Sequence, residues 1–205
     1  MGNRLYIGMR DSGKTTSLYR DVDAALIARR PVVVIDSATD HIDRSLMHRL
    51  LRAHENCCEG AEYPRSVVDP MQRLSQMMSM ADAGKIVIID VSHYLEEGYQ
   101  STDPNEKVMI RRRYQDEAGD VMATVHAAML RGGLRNVLVA MDEIEFTECI
   151  ASYARAIKEH GGEVHAALHP PLVAHELFGE FEYIDLSQRG KLDDEGFRKG
   201  RTSVL

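Results

Sequence analysis

The run Leu5-Tyr6-Ile7-Gly8-Met9-Arg10-Asp11-Ser12-Gly13-Lys14-Thr15-Thr16 constrains this chain more than any other stretch. It matches G-x-x-x-x-G-K-[ST], with an apolar strand before it and Ser17-Leu18-Tyr19 able to continue a helix after it. Two glycines at that spacing let successive backbone N–H groups turn inward on an anion. The helix that follows adds the positive end of its dipole. The segment Gly8, Met9, Arg10, Asp11, Ser12, Gly13, Lys14, Thr15 and Thr16 is therefore expected to cradle the phosphates of ATP. In that role Lys14 reaches the β- and γ-phosphates and the Thr15 hydroxyl faces Mg²⁺.

Such a loop needs a sheet behind it, and the chain supplies the strands. Apolar runs at Arg4 to Ile7, Pro31 to Ile35, Lys85 to Asp90, Asn136 to Met141, Glu163 to Leu168 and Phe181 to Leu186 are separated by helix-length segments. The helices are expected over Gly13–Arg29, Asp43–Ala53, Met71–Ala83, Val108–Leu130, Ile144–Glu159 and Pro171–Leu177, with glycines at 84, 132–133 and 161–162 as stops. Strands too apolar to be half-exposed, alternating with helices, predict an α/β fold, a mainly parallel central sheet flanked by helices on both faces, and the phosphate loop makes it a P-loop NTPase. At 205 residues and 44% apolar, one ATPase domain over residues 1–190 is expected, followed by a charged tail over residues 191–205.

Magnesium requires an acidic partner at a strand end. Three strands finish in an acid, at Asp36, Asp90 and Asp142, and only the last continues as Asp142-Glu143. Asp142 is the expected metal-side carboxylate and Glu143 the group that polarises an attacking water, with Asp90 the runner-up for the metal. His169, at the tip of the Glu163 to Leu168 strand and ahead of Pro170-Pro171, is placed to read the γ-phosphate. His165, inside that strand, is expected to be buried in the sheet instead.

Composition narrows the class. A net charge of −7 argues against a protein that coats nucleic acid with a broad basic surface. It leaves room for a ring that lines a channel with a few basic side chains, and Lys107, Arg111, Arg112 and Arg113 form the densest such patch. The alternative for that patch is a solvated helix face balanced by Asp116, Glu117 and Asp120. Adjacent Cys57 and Cys58, with His41, His48 and His54, lack the ligand spacing of a zinc site. Three cysteines, no apolar run of bilayer-spanning length and a phosphate loop that opens near residue 1 predict a cytoplasmic protein with no transmembrane segment.

The order of these motifs resembles the HerA/FtsK superfamily of ATPases. The likeness runs through the phosphate loop, Val32 to Asp36, Ile86 to Val91 and Leu138 to Glu143, and closes on Gly161-Gly162-Glu163-Val164-His165-Ala166-Ala167-Leu168-His169-Pro170. In size the chain is similar to the single-domain members that package viral genomes. The resemblance implies a RecA/ASCE-like P-loop fold and a homo-oligomeric ring, often hexameric, that moves double-stranded DNA and meets capsid or membrane-vertex proteins, in host cytoplasm or virion. It also implies an arginine finger acting on the neighbour's nucleotide. Lys158 aligns with that finger, but a lysine lacks the two-pronged contact of arginine, so Arg155, one turn earlier on the same face, is the expected finger; Arg131 and Arg135, which flank Gly132-Gly133, are open to the same intersubunit role. His169 stands where family members commonly carry glutamine, and Asp11 is unusual beside anionic phosphates. Two rivals come from other classes: a nucleotide or small-molecule kinase, and an assembly scaffold or switch that binds ATP to set its oligomeric state.

Overall fold

The computed structural model describes residues 2–9, 12–36, 86–90, 102–142, 147–168 and 181–186. Six strands appear among them: β1 (Arg4–Ile7), β2 (Val32–Asp36), β3 (Ile86–Asp90), β4 (Leu138–Asp142), β5 (Glu163–Leu168) and β6 (Glu182–Asp185). They form one sheet in the order β3-β2-β4-β5-β1-β6, and every pairing is parallel. Three helices accompany them: α1 (Lys14–Ile27), α2 (Pro104–Leu130) and α3 (Glu148–Glu159). The parallel α/β fold expected from the strand runs is the fold present.

Strand alternation sorts the core into two layers. Val32 and Val34 point to one face, where they pack with Tyr6, Leu138, Ala140, Ala167 and the buried stripe Leu18, Val22, Ala25 and Leu26 of α1. Val33 and Ile35 point to the other, against Val139, Met141, Val164 and Ala166 and the inner faces of α2 and α3. On α2 that inner face is Ala118, Val121, Met122, Val125, Ala128 and Met129, and on α3 it is Ile150, Ala154 and Ile157, all at helical spacing. With helices on both faces, β4 and β5 are buried along their whole length, which explains the unbroken apolar run Leu138 to Met141 in β4; β5 buries Glu163 and His165 along with its apolar residues.

Capping chemistry moves two helix starts away from the expected ones. Helix α2 begins four residues earlier than Val108, because the Asp103 carboxylate accepts the Asn105 N–H at 2.9 Å and Pro104 fits the first helical position. Asn105 is thus already helical, and Val108 and Met109 lie exposed on α2. Helix α3 begins at Glu148 rather than Ile144, since Thr147 caps it by accepting the Ile150 N–H at 3.3 Å. The strands shift by one or two residues: β2 and β4 run on to include Asp36 and Asp142. Asn3, which no sequence pattern marks, is a buried clamp whose amide oxygen accepts Val164 N–H at 2.9 Å and whose amide nitrogen donates to the Ala154 carbonyl at 3.4 Å. The expected helices at 43–53, 71–83 and 171–177, the cysteine and histidine cluster at 41–58 and the tail from residue 191 lie outside the described residues.

Candidate nucleotide-phosphate site

Parallel strands present all their carboxyl ends on one edge, and the loop between β1 and α1 sits there. Gly13 enters α1 at φ 89°, a left-handed conformation that a side chain would strain. Gly8 is needed for a different reason. A Cβ on it would fall 2.3 Å from the Ser12 hydroxyl oxygen and 3.3 Å from the Leu186 carbonyl carbon. The loop closes through Ser12 N–H donating to the Met9 carbonyl at 3.2 Å, and it leans on β5 through Gly8 N–H to the Leu168 carbonyl at 3.4 Å.

Three features suit this loop to an anion. The first turn of α1 carries no acidic residue and no side chain caps its N-terminus, so its leading N–H groups keep their attraction for negative charge. Lys14 is buried at 4% exposure and donates to the Met9 carbonyl at 2.9 Å, which holds its ammonium inside the loop. The Ser12 hydroxyl is also buried and has no hydrogen-bond partner among the described residues. A buried hydroxyl left in that state costs about 1–3 kcal/mol, a cost an incoming phosphate oxygen would relieve.

The acid opposite the loop is Asp142. The Thr15 hydroxyl donates to its carboxylate at 3.3 Å, and Asp142 is only 1% exposed at the end of β4. Strand β5 lies between β1 and β4, so the carboxylate reaches Thr15 across one intervening strand. Asp90 is at the same level of the sheet but two strands from Asp142, in the register Asp90–Asp36–Asp142. The hydroxyl and the carboxylate are both oxygen donors of the kind Mg²⁺ takes, so Thr15 and Asp142 fit that ion.

Of the other expected site residues, Met9 is exposed at 63%, and Thr16 is exposed on the first turn of α1. Arg155 and Lys158 are exposed on α3. That helix runs from the carboxyl edge at β4 back toward the start of β5, which carries both residues away from the loop of their own chain. Arg131 and Arg135 are exposed beyond the end of α2, and Lys107 and Arg112 are exposed on its outer surface. Arg10, Asp11, Glu143 and His169 lie outside the described residues. No group of three or more metal-ligating side chains occurs among the described residues. None of the described helices is long and apolar enough to cross a membrane.

His165 is buried in the sheet, as expected, but among charged partners that sequence pattern alone does not reveal. Its Nδ1 lies 2.7 Å from Asp21 Oδ2, and its Nε2 lies 3.2 Å from the Gly2 carbonyl and 3.5 Å from Glu163 Oε2. The same Asp21 carboxylate accepts from the Tyr6 hydroxyl and from Arg4 Nη1 at 3.1 Å. Burial alone would push the Asp21 carboxyl up, but hydrogen bonds from His165 and Tyr6, with the charges of His165 and Arg4, hold it below the usual carboxylate range. Burial pushes the Tyr6 phenol well up, and the adjoining Asp21 carboxylate adds to that. The sequence signal for this cluster is an acid inside the apolar stripe of α1 and a histidine inside an apolar strand.

The family of the chain follows from its first half. The thymidine kinase family model matches residues 3–112, which span β1, the phosphate loop, α1, β2, β3 and the start of α2. This chain belongs to the thymidine kinase family. The match is to thymidine kinases and not to the HerA/FtsK group that the motif order resembles. It ends before β4, so Asp142 lies outside it. No curated protein matches the sequence. Among solved structures, the genome packaging NTPase B204 from Sulfolobus turreted icosahedral virus 2, in complex with AMP, is similar to this thymidine kinase family member with a TM-score of 0.48. The identity is 11%, over 86% of this chain and 69% of that one.

Proposed function

We propose that this chain is a magnesium-dependent ATPase that hydrolyses the γ-phosphate and couples hydrolysis to movement of duplex DNA. One observation carries the reading: the Thr15 hydroxyl meets the buried Asp142 carboxylate at 3.3 Å beside a loop built for phosphate. The family match favours use of a nucleotide but ends at residue 112, so it does not include the acid that faces the loop. That acid is followed directly by Glu143, a second carboxylate of the kind needed to take a proton from water. Thr15 and Asp142 would hold Mg²⁺, whose charge offsets that of the phosphate oxygens. Lys14 stabilises charge on the transferred group, Glu143 accepts the proton of the attacking water, and His169 reads the γ-phosphate. The oxygen–phosphorus bond forms from water as the bridge to ADP breaks. Arg155 or Lys158 acts on the nucleotide of a neighbouring copy in a ring. The DNA and ring assignments rest on the motif order, with Lys107 and Arg112 available for salt-sensitive contacts to DNA phosphates.

A second reading has its own support. The thymidine kinase match favours a nucleoside hydroxyl, in place of water, as the acceptor. One experiment separates the two: incubate the full chain with Mg²⁺ and γ-labelled ATP, alone, with duplex DNA and with thymidine, and measure the mass of the particle alongside. The expected product is labelled inorganic phosphate, released faster with DNA by a homo-oligomer. Label on thymidine overturns hydrolysis in favour of the kinase, and turnover by a monomer indifferent to DNA removes the motor.

A further inference from the structure

A buried polar network lies at the opposite end of β1 and β5 from the phosphates. Three elements converge on the phosphate loop: β1 enters it, α1 leaves it, and β5 supports it through the Leu168 carbonyl at 3.4 Å from Gly8 N. A single carboxylate ties all three. Asp21, seven residues into α1, takes the Tyr6 hydroxyl and the Arg4 guanidinium from β1 and the His165 imidazole from β5. Seven residues of helix span about 10 Å, so a tilt of α1 at Asp21 is felt at Lys14 and Thr15.

The bonding of His165 is restrictive. Both ring nitrogens face acceptors: the Asp21 carboxylate on one side, the Gly2 carbonyl and the Glu163 carboxylate on the other. Around it two arginines pair with the outer acids: Arg30 Nη1 meets Glu163 at 3.2 Å and Arg4 Nε meets Glu182 at 3.2 Å. The His165 side chain is 4% exposed and that of Asp21 is 16% exposed. A pair held this far from water has few other partners, so its geometry is well defined.

We propose that His165 and Asp21 are positioning residues that set the pose of the phosphate loop by locking α1 to β1 and β5. Neither touches the nucleotide. The inference rests on the reading that this loop binds ATP, and its test keeps the two apart. Amide hydrogen exchange is measured on the full chain without nucleotide, for His165→Gln, Asp21→Asn and the milder Tyr6→Phe. The expected result is a loss of protection of at least tenfold confined to Gly8 and Ser12 to Ser17, with Val33 and Val139 within twofold of wild type. Tyr6→Phe, which removes one donor and keeps the ring, gives the same pattern at smaller size and serves if the other two fail to fold. A uniform loss across the core, or no loss in the loop, overturns the proposal, because a merely structural network would weaken every core amide together. In turnover the expected signature is an ATP KM raised about tenfold with kcat within threefold. The reverse split counts against positioning. Wild-type chain that binds no ATP would sink the nucleotide reading while leaving the exchange result, for or against positioning, in place.

Discussion

Asp142→Asn is the substitution that tests most of the site. The side chain keeps its size and an acceptor for the Thr15 hydroxyl, which lies 3.3 Å away, and loses only its charge. Hydrogen bonds to charged groups contribute about 1.5–3 kcal/mol against about 1 kcal/mol for neutral ones. The ground-state loss is then on the order of 1 kcal/mol, or about fivefold in Mg·ATP affinity. Catalysis loses more, since removing one preorganised group that supports developing charge costs about 10²–10³ in kcat. Asp90→Asn is the control. Asp90 stands two strands from Asp142, so at about 4.8 Å per strand the backbones are about 10 Å apart. A unit charge at that range in water is worth about 0.4 kcal/mol, or about twofold, and less at physiological salt. The assay is ATP turnover titrated with Mg²⁺ for both variants. The expected pattern is a right-shifted Mg²⁺ curve and a turnover lower by two to three orders of magnitude for Asp142→Asn, with Asp90→Asn near wild type. If Asp90→Asn is the crippled variant, the metal side lies at β3, inside the span matched by the thymidine kinase family, and the reasoning from Thr15 fails.

Gly8→Ala forces a Cβ to within 2.3 Å of the Ser12 hydroxyl oxygen and 2.9 Å of its Cβ, so the loop must open. A loss of about 1–3 kcal/mol in stability, read by denaturant titration, and of most ATP binding is expected; unchanged binding would show that the close approach is not needed. Asn3→Ala strips the acceptor from the buried Val164 N–H and is expected to cost about 1–3 kcal/mol, measured by thermal or denaturant unfolding, with a cost below 0.5 kcal/mol contradicting the clamp. The Asp21 carboxyl titrates lower folded than unfolded. Its contribution is therefore complete above the ordinary carboxylate range and disappears as pH falls through that range toward the folded value. Melting temperature from pH 6 down to pH 3 is expected to drop more steeply for wild type than for Asp21→Asn, and parallel curves would remove Asp21 from the acid limb.

What the sequence disclosed and what it hid divide along a physical line. Contacts between chain neighbours were legible: the spacing of Gly8 and Gly13 encodes a local turn, and the unbroken apolar run Val32 to Ile35 encodes a strand covered on both faces. Strand-end acids were legible too, and the adjoining Glu143 set Asp142 apart from Asp36 and Asp90. The contact itself was not legible, because Thr15 and Asp142 are 127 residues apart and the order of strands, with β5 between β1 and β4, sets which carboxylate meets the loop. The polar network was least legible, for it joins residues at positions 4, 6, 21, 163 and 165 whose common property is mutual compensation. Taken singly, Asp21 breaks the apolar stripe of α1 and His165 breaks an apolar strand. Each is tolerable because the network compensates it: the Asp21 carboxylate takes His165, Tyr6 and Arg4, and the His165 ring meets Asp21 and the Gly2 carbonyl. Two local exceptions that fall on elements flanking the same loop are therefore one feature. A chain that keeps such a pair beside a phosphate site has tied the geometry of that site to a bond far from the phosphates.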